Sequence, residues 1–266
     1  MADILRVENL RIHFHDAAPE EYAVDGVSFS IGEGEIVGLV GESGSGKTVT
    51  AMTLSGLLSR RRASARGHIT LDGSEILQCS EAELLDILGE ELGVVFQEPM
   101  TTMNPVMRVG AQVEECLRVH TKLKPEERKA RALEAMDWAE VPEPERIYRK
   151  FPHELSGGML QRLMIAAAIV SRPKLLRADE PPTALDVTIQ AEILSLLKRL
   201  NKEHGMAILL ISHDLSVVRK LCSRVLVMYH GKLLEDRPVE DIFRDPQHDY
   251  TRKLLAAIPT RDKKLY

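Results

Sequence analysis

Gly41-Glu42-Ser43-Gly44-Ser45-Gly46-Lys47-Thr48 fits the phosphate-loop pattern G-x-x-x-x-G-K-[ST] at every specified position. Ahead of it runs Ile36-Val37-Gly38-Leu39-Val40, with the length and apolar character of a buried parallel strand. Residues 49–58 behind it read as a helix, so the loop joins a strand to a helix, as the motif requires. Glycines let the backbone wrap an anion with successive N–H groups pointing inward. The helix N-terminus adds partial positive charge, Lys47 adds a full one, and Thr48 offers a hydroxyl to Mg²⁺. A Gly-Ser turn that happens to end in Lys-Thr is the bland alternative. The rest of the chain has to decide.

The 266 residues suffice for a full core, and 44% hydrophobic with 28% charged is ordinary for a soluble globular protein. A formal net charge of −5 argues against a nucleic-acid binder driven by bulk electrostatics. No run approaches the roughly 18 consecutive apolar residues of a spanning helix, and the start shows no signal-peptide pattern. Cys79, Cys116 and Cys222 are scattered, with no C-x-x-C pair, as small apolar residues in a reducing compartment would be. The expectation is a cytosolic protein that meets a membrane only through a partner.

Loose apolar alternation over 4–14 and 22–31 predicts an antiparallel pair leading into the phosphate-loop strand. The basic stretch Arg60-Arg61-Arg62-Ala63-Ser64-Ala65-Arg66 is either a nucleic-acid patch or a solvated linker. Without interleaved aromatics to stack bases, the linker is the expectation. A strand follows over 67–73, then a capping box at Ser80-Glu81-Ala82-Glu83 opening a helix, then a buried strand over 92–96 ending at Gln97. Helical periodicity dominates 100–170, broken at Pro142, Pro144 and Pro152, and predicts a helical insertion. Strands at 174–179 and 207–211 resume the αβ pattern, with helices over 188–203 and 215–222. A hairpin of 224–229 and 232–235, hinged at Gly231, and two short helical patterns over 239–257 complete the chain.

Asp179-Glu180 follows a strand, where an acid can coordinate Mg²⁺ and its neighbour can accept a proton from water. Gln97 and His213 also sit at strand ends, placed to align water and to hold a terminal phosphate. Taken singly, each has a dull reading as a turn or cap. Leu155-Ser156-Gly157-Gly158-Met159-Leu160-Gln161-Arg162 changes the balance, because Ser-Gly-Gly opening a helix is a second anion-binding N-terminus. It lies too far along the chain to share a nucleotide easily with Lys47, and an obvious use is the nucleotide of a second copy, stacked head to tail.

In this order, GESGSGKT, Gln97 in FQEP, LSGGM, ADEP, Ala184-Leu185-Asp186 and Ser212-His213-Asp214 resemble the ATP-binding cassette (ABC) family of transport ATPases over essentially the whole length. FQEPMTTMNPV, FPHELSGGMLQRLMIA, ALDVTIQAEIL and DPQHDYTRKLLAAIP resemble the ATPases of oligopeptide, dipeptide, glutathione and nickel importers. The resemblance implies an α/β fold with a P-loop NTPase (RecA-like) core, an N-terminal antiparallel β subdomain and an inserted α-helical subdomain, the ABC ATPase fold. It divides one domain, 1–266, into a core (1–98 and 171–238), a helical subdomain (99–170) and a tail (239–266). It implies ATP and Mg²⁺ bound by Gly41, Ser43, Gly44, Ser45, Gly46, Lys47, Thr48 and Val49. Gln97 and Asp179 complete the metal and water site, with Glu180 as base and His213 as switch residue. Ser156, Gly157 and Gly158 would serve the partner's ATP, with Asp186 coupling the two sites, and Phe14, or else Tyr22, would stack on adenine. Implied partners are two membrane permeases, a head-to-tail copy or paralogous ATPase, and a substrate-binding protein, with no nucleic acid. The place implied is the cytoplasmic face of the cell membrane.

Three departures stand out. Arg177 occupies a strand position that is normally apolar, and its neighbours predict an unpaired, strained guanidinium rather than a carboxylate pair. Pro182 stands where threonine is usual. No cysteine follows Cys222, so the iron–sulfur extension of longer peptide-importer ATPases is not expected. The rival readings are a non-transport ABC ATPase working on nucleic acid or ribosomes, and a regulatory subunit impaired in hydrolysis.

Overall fold

The computed structural model describes residues 3–180 and 187–258. β1 (Asp3–Phe14) turns Leu5, Val7, Leu10 and Ile12 inward and pairs antiparallel with β2 (Val24–Gly32). β3 (Ile36–Val40) is buried along its whole length and runs through the phosphate loop into α1 (Lys47–Leu54). β4 (Ala63–Leu71) lies on the other side of β1, with β5 (Ser74–Glu75) at the edge, giving the order β2-β1-β4-β5. The linker expectation for 60–66 is therefore corrected at its second half. Ala63 pairs with Phe14 and Ala65 with Ile12, while Ser64 and Arg66 face solvent. Alternating small apolar residues let the segment join the sheet despite its charge.

α2 (Glu81–Glu91) begins at the predicted capping box, in which Ser80 Oγ accepts from the Glu83 N–H and the Glu83 carboxylate accepts from the Ser80 N–H. β6 (Leu92–Val95) follows. Then come α3 (Pro99–Thr102), α4 (Val109–Val113), α5 (Glu115–His120), α6 (Pro125–Trp138), α7 (Pro144–Ile147) and α8 (Gly157–Ile169), with no strand between them. The remaining elements are β7 (Leu175–Asp179), α9 (Val187–His204), β8 (Ala207–Ser212), α10 (Leu215–Leu221), β9 (Arg224–Tyr229), β10 (Lys232–Pro238), α11 (Val239–Arg244) and α12 (Asp249–Ala256).

The second sheet has the order β10-β9-β3-β8-β7-β6, parallel except for the β9–β10 hairpin. Period-two alternation divides its strands between two apolar clusters. Ile36 and Val40 join the cluster shared with α4, α6 and α8, whereas Val37 and Leu39 join the one shared with α1 and the antiparallel sheet. The register matters most for function. Val40 pairs with Ser212, Asp179 with Ile211, and Val95 with Ala178, so β3, β6, β7 and β8 end at nearly one level. Their following residues emerge together at the C-terminal edge of a parallel sheet, where open αβ sheets bind ligands.

Candidate nucleotide site

The phosphate loop is wedged against the chain's last third. A Cβ on Gly41 would lie 2.2 Å from the Met228 carbonyl oxygen, and one on Gly46 2.7 Å from that of Ala23. Both contacts are far inside any tolerable approach to backbone, so only glycine fits. Lys47 is buried and folds back over the loop: Nζ donates to the Gly41 carbonyl at 2.6 Å, the Glu42 carbonyl at 2.8 Å and Ser45 Oγ at 3.3 Å. Burial pulls its pKa below the ordinary lysine value, against the opposing charges of Glu180, Asp179 and Glu42.

Asp179 ends β7 beside this loop. Burial raises its pKa, the Arg177 charge opposes that, and Glu180 adds to it. Glu180 takes φ 42°, a left-handed conformation costing a non-glycine residue of order 1–2 kcal/mol. It is held there by its N–H, which donates to the Ile211 carbonyl at 2.8 Å, and by both carboxylate oxygens. Gln97 Nε2 donates to Oε2 at 2.7 Å, and His213 Nδ1 lies 2.7 Å from Oε1. Strain tied down at a cleft is typical of working sites.

Phe14, the loop 43–49, Gln97, Asp179 and Glu180 line one cavity of about 380 Å³. The Thr48 hydroxyl, the Asp179 carboxylate and the Gln97 amide oxygen give it a hard-oxygen donor set. Phe14 borders this space, whereas the Tyr22 ring is engaged by His13 (centroids 5.7 Å apart) and Arg11. Ser156, Gly157 and Gly158 do not line the cavity. They open α8, with Ser156 Oγ accepting from the Met159 N–H and Gly158 packed near Ile189 of α9. Asp186 and Pro182 lie outside the described residues.

Sequence reasoning missed the environment of Arg177, and the expectation that it is unpaired is corrected. Its side chain is 2% exposed, donates to the Ala51 carbonyl at 2.8 Å and Ser55 Oγ at 2.7 Å, and lies 3.7 Å from the Asp179 carboxylate. Two residues along a strand return to the same face, so the signal was the Arg-x-Asp spacing itself. Tyr250 was also missed. Its hydroxyl accepts from the Glu42 N–H at 2.8 Å, a contact between residues 208 positions apart that no local pattern announces.

A family model described as ABC transporter matches residues 24–183. The chain belongs to the ABC transporter family. A peptidoglycan transport ATP-binding protein of Agrobacterium fabrum is 49% identical to this ABC protein over 96% of the chain and 47% of its own length. The oligopeptide transport ATP-binding protein OppD of Bacillus subtilis is 46% identical over 97% of the chain and 72% of its own length. The glutathione import ATP-binding protein GsiA of Escherichia coli is 46% identical over 97% of the chain and 42% of its own. The ABC chain thus spans less than half of the first and third of these relatives.

Among solved structures, cbiO1 of Clostridium perfringens, part of the ABC transporter complex cbiONQ, superposes with a TM-score of 0.79 at 29% identity, covering 92% of both chains. A dimeric ATP-binding cassette in a post-hydrolysis state, bound to ADP and Pi, superposes at 0.77 and 30% identity over 88% of this chain and 98% of that one. The α/β architecture is therefore the ABC ATPase fold that the motifs implied. Among the described residues, no helix is long and apolar enough to cross a membrane.

Proposed function

We propose that the chain is the ATP-hydrolysing subunit of an ABC importer for peptides, working at the cytoplasmic face of the cell membrane. The observation that carries the ATPase reading is the Glu180 carboxylate, fixed between Gln97 and His213 at the rim of the cavity that holds Lys47 and Asp179. The names of the relatives, which transport oligopeptides, peptidoglycan and glutathione, favour peptides over the nickel and metallophore ligands that the motifs also allow.

In this reading the N–H groups of 43–49 and the Lys47 ammonium hold the phosphates, and Phe14 stacks on adenine. Lys47 then exchanges its two longer contacts, the Glu42 carbonyl and Ser45 Oγ, for phosphate oxygens and keeps the Gly41 carbonyl. Mg²⁺, for which Thr48, Asp179 and Gln97 are the fitting ligands, neutralises charge on the phosphates when bound. Glu180 takes the proton from attacking water, and Gln97 and His213 keep its carboxylate turned toward the reaction. Ser156, Gly157 and Gly158 present the α8 N-terminus to the ATP of a second copy or paralogue, and Asp186 couples the two sites. Residues 99–170 act as a helical subdomain beside the core. The 97–109 stretch, which exposes Met100 (65%) and Val106 (79%), receives the two membrane permeases, themselves fed by a substrate-binding protein.

Glu180→Gln tests this directly. The variant should bind ATP, release no phosphate and run as a dimer on size exclusion with ATP and Mg²⁺, the natural partner being added where needed. Turnover at the parental rate removes Glu180 as the base. Unchanged ATP affinity in Lys47→Ala removes the loop as the phosphate site.

A further inference from the structure

The peptide joining Gly41 to Glu42 is held at both ends. Its carbonyl oxygen accepts from Lys47 Nζ at 2.6 Å, and its N–H donates to the Tyr250 hydroxyl at 2.8 Å. Tyr250 belongs to α12, near the far end of the chain, and is itself tightly placed. Its ring packs on Tyr229 with centroids 4.0 Å apart, and Tyr229 ends β9 next to Met228, whose carbonyl abuts Gly41. The start of α12 is pinned to β10 by Glu235, a buried carboxylate that accepts from the His248 N–H at 2.8 Å and the Gln247 N–H at 3.2 Å. The Tyr250 N–H in turn donates to His248 Nδ1 at 3.1 Å. The Gly231 N–H donates to the Ser45 carbonyl at 2.9 Å, so the β9–β10 turn and α12 both hold the loop.

We propose that Tyr250 is a positioning residue for nucleotide binding: by fixing the Gly41–Glu42 peptide from outside, α12 sets where the Lys47 ammonium stands. Glycine lacks the Cβ that would stiffen this bond, so a peptide beginning at Gly41 needs an external partner to keep one orientation. None of Tyr250, Gly41 and Glu42 lines the cavity, so the hydroxyl orders the loop without touching the nucleotide. Docking of α12 thereby couples to ATP affinity. Anything that lifts the helix, through Glu235 or Tyr229, loosens the phosphate cradle.

This inference rests on the loop being the nucleotide site, and the test separates the two. Tyr250→Phe keeps the ring on Tyr229 and removes only the hydroxyl. Titration of the whole chain with ATP and Mg²⁺ should show Kd, and KM in turnover, raised about threefold to tenfold, the scale of one hydrogen bond, with kcat and Tm near parental. A parental Kd in Tyr250→Phe, beside lost binding in Lys47→Ala, overturns the role of Tyr250 alone. A fall in Tm with parental Kd and KM does the same, because it marks a purely structural contact. Unchanged ATP binding in both variants overturns the nucleotide site itself.

Discussion

The Arg177 guanidinium lies 3.7 Å from the Asp179 carboxylate, two residues along the same face of β7, in a side chain that is 2% exposed. Its other donors reach the Ala51 carbonyl and Ser55 Oγ at the C-terminal end of α1, and its Nε has no partner among the described residues. The charge thus ties the helix that follows the phosphate loop to the strand that carries Asp179. Burial lowers the Arg177 pKa and raises that of Asp179, and each charge opposes the other's shift. Removing one member of a buried pair costs about 3 kcal/mol when the other is left uncompensated, a loss that the Lys47 charge tempers here. Arg177→Ile should therefore lower Tm and slow hydrolysis by loosening Asp179. A variant more stable than the parent, with an equal or faster ATPase rate, would restore the strained reading that the residue's apolar neighbours first suggested.

Phe14→Ala should weaken ATP binding by about tenfold, since stacking on an aromatic ring is worth about 1–3 kcal/mol per base. Tyr22→Ala should leave the affinity close to parental, because that ring already packs on His13 and Arg11. Titrating both variants with ATP decides the matter. The opposite ranking hands the adenine to Tyr22.

The parts of the site that could be read from residues are those built by local geometry. A strand of five buried residues, a glycine loop and a helix follow one another directly along the chain, so their order is readable from local pattern. The Ser80 capping box likewise depends only on a spacing of three. Gln97, Asp179, Glu180 and His213 could be nominated because each stands at or just past the end of a strand, but their meeting at Glu180 is a product of strand order and register. Where the reading failed, long-range packing had overridden composition. Ala63 to Arg66 looks like linker because of its charge, yet β1 offers an edge and alanines fit the inward positions. Tyr250 looks like a tail residue until β10 and α12 fold it against the loop.

Lys47→Ala and Ser156→Arg should each abolish hydrolysis when tested alone. If Ser156 serves the ATP of the opposite copy, mixing the two proteins should recover activity. In the mixed dimer one composite site has both defects, and the other pairs an intact Lys47 with an intact Ser156. Phosphate release from the mixture, measured against each variant alone, checks this. A mixture as inactive as its components would place Ser156 and Lys47 in the same copy's site.

Glu35 and Arg224 supply an acid-sensitive tie between the two sheets. Arg224 on β9 donates from Nε to Glu35 Oε1 at 2.7 Å, reaches Asp236 on β10, and donates to the Ser30 carbonyl on β2. Glu35 also accepts from the Gly32 N–H at 2.9 Å. Burial alone would raise the Glu35 pKa, but the hydrogen bond from Arg224, the Gly32 N–H and the Arg224 charge together carry it below the ordinary value. The folded state therefore holds the proton less tightly than the unfolded chain does. The resulting stability is present above the unfolded pKa of about 4.3 and is lost as pH falls through the lower folded value. Because the pair is partly exposed, solvent screening limits its worth to about 1 kcal/mol. Glu35→Gln should accordingly lower Tm at about pH 7, and the gap to the parent should narrow as pH falls below about 4.3 and through the lower folded value, where the parental carboxylate takes up its proton. Thermal melts of both proteins across that range check the sign. A gap that stays constant down to the acid end would show that Glu35 stabilises through its shape and neutral hydrogen bonds, not through its charge.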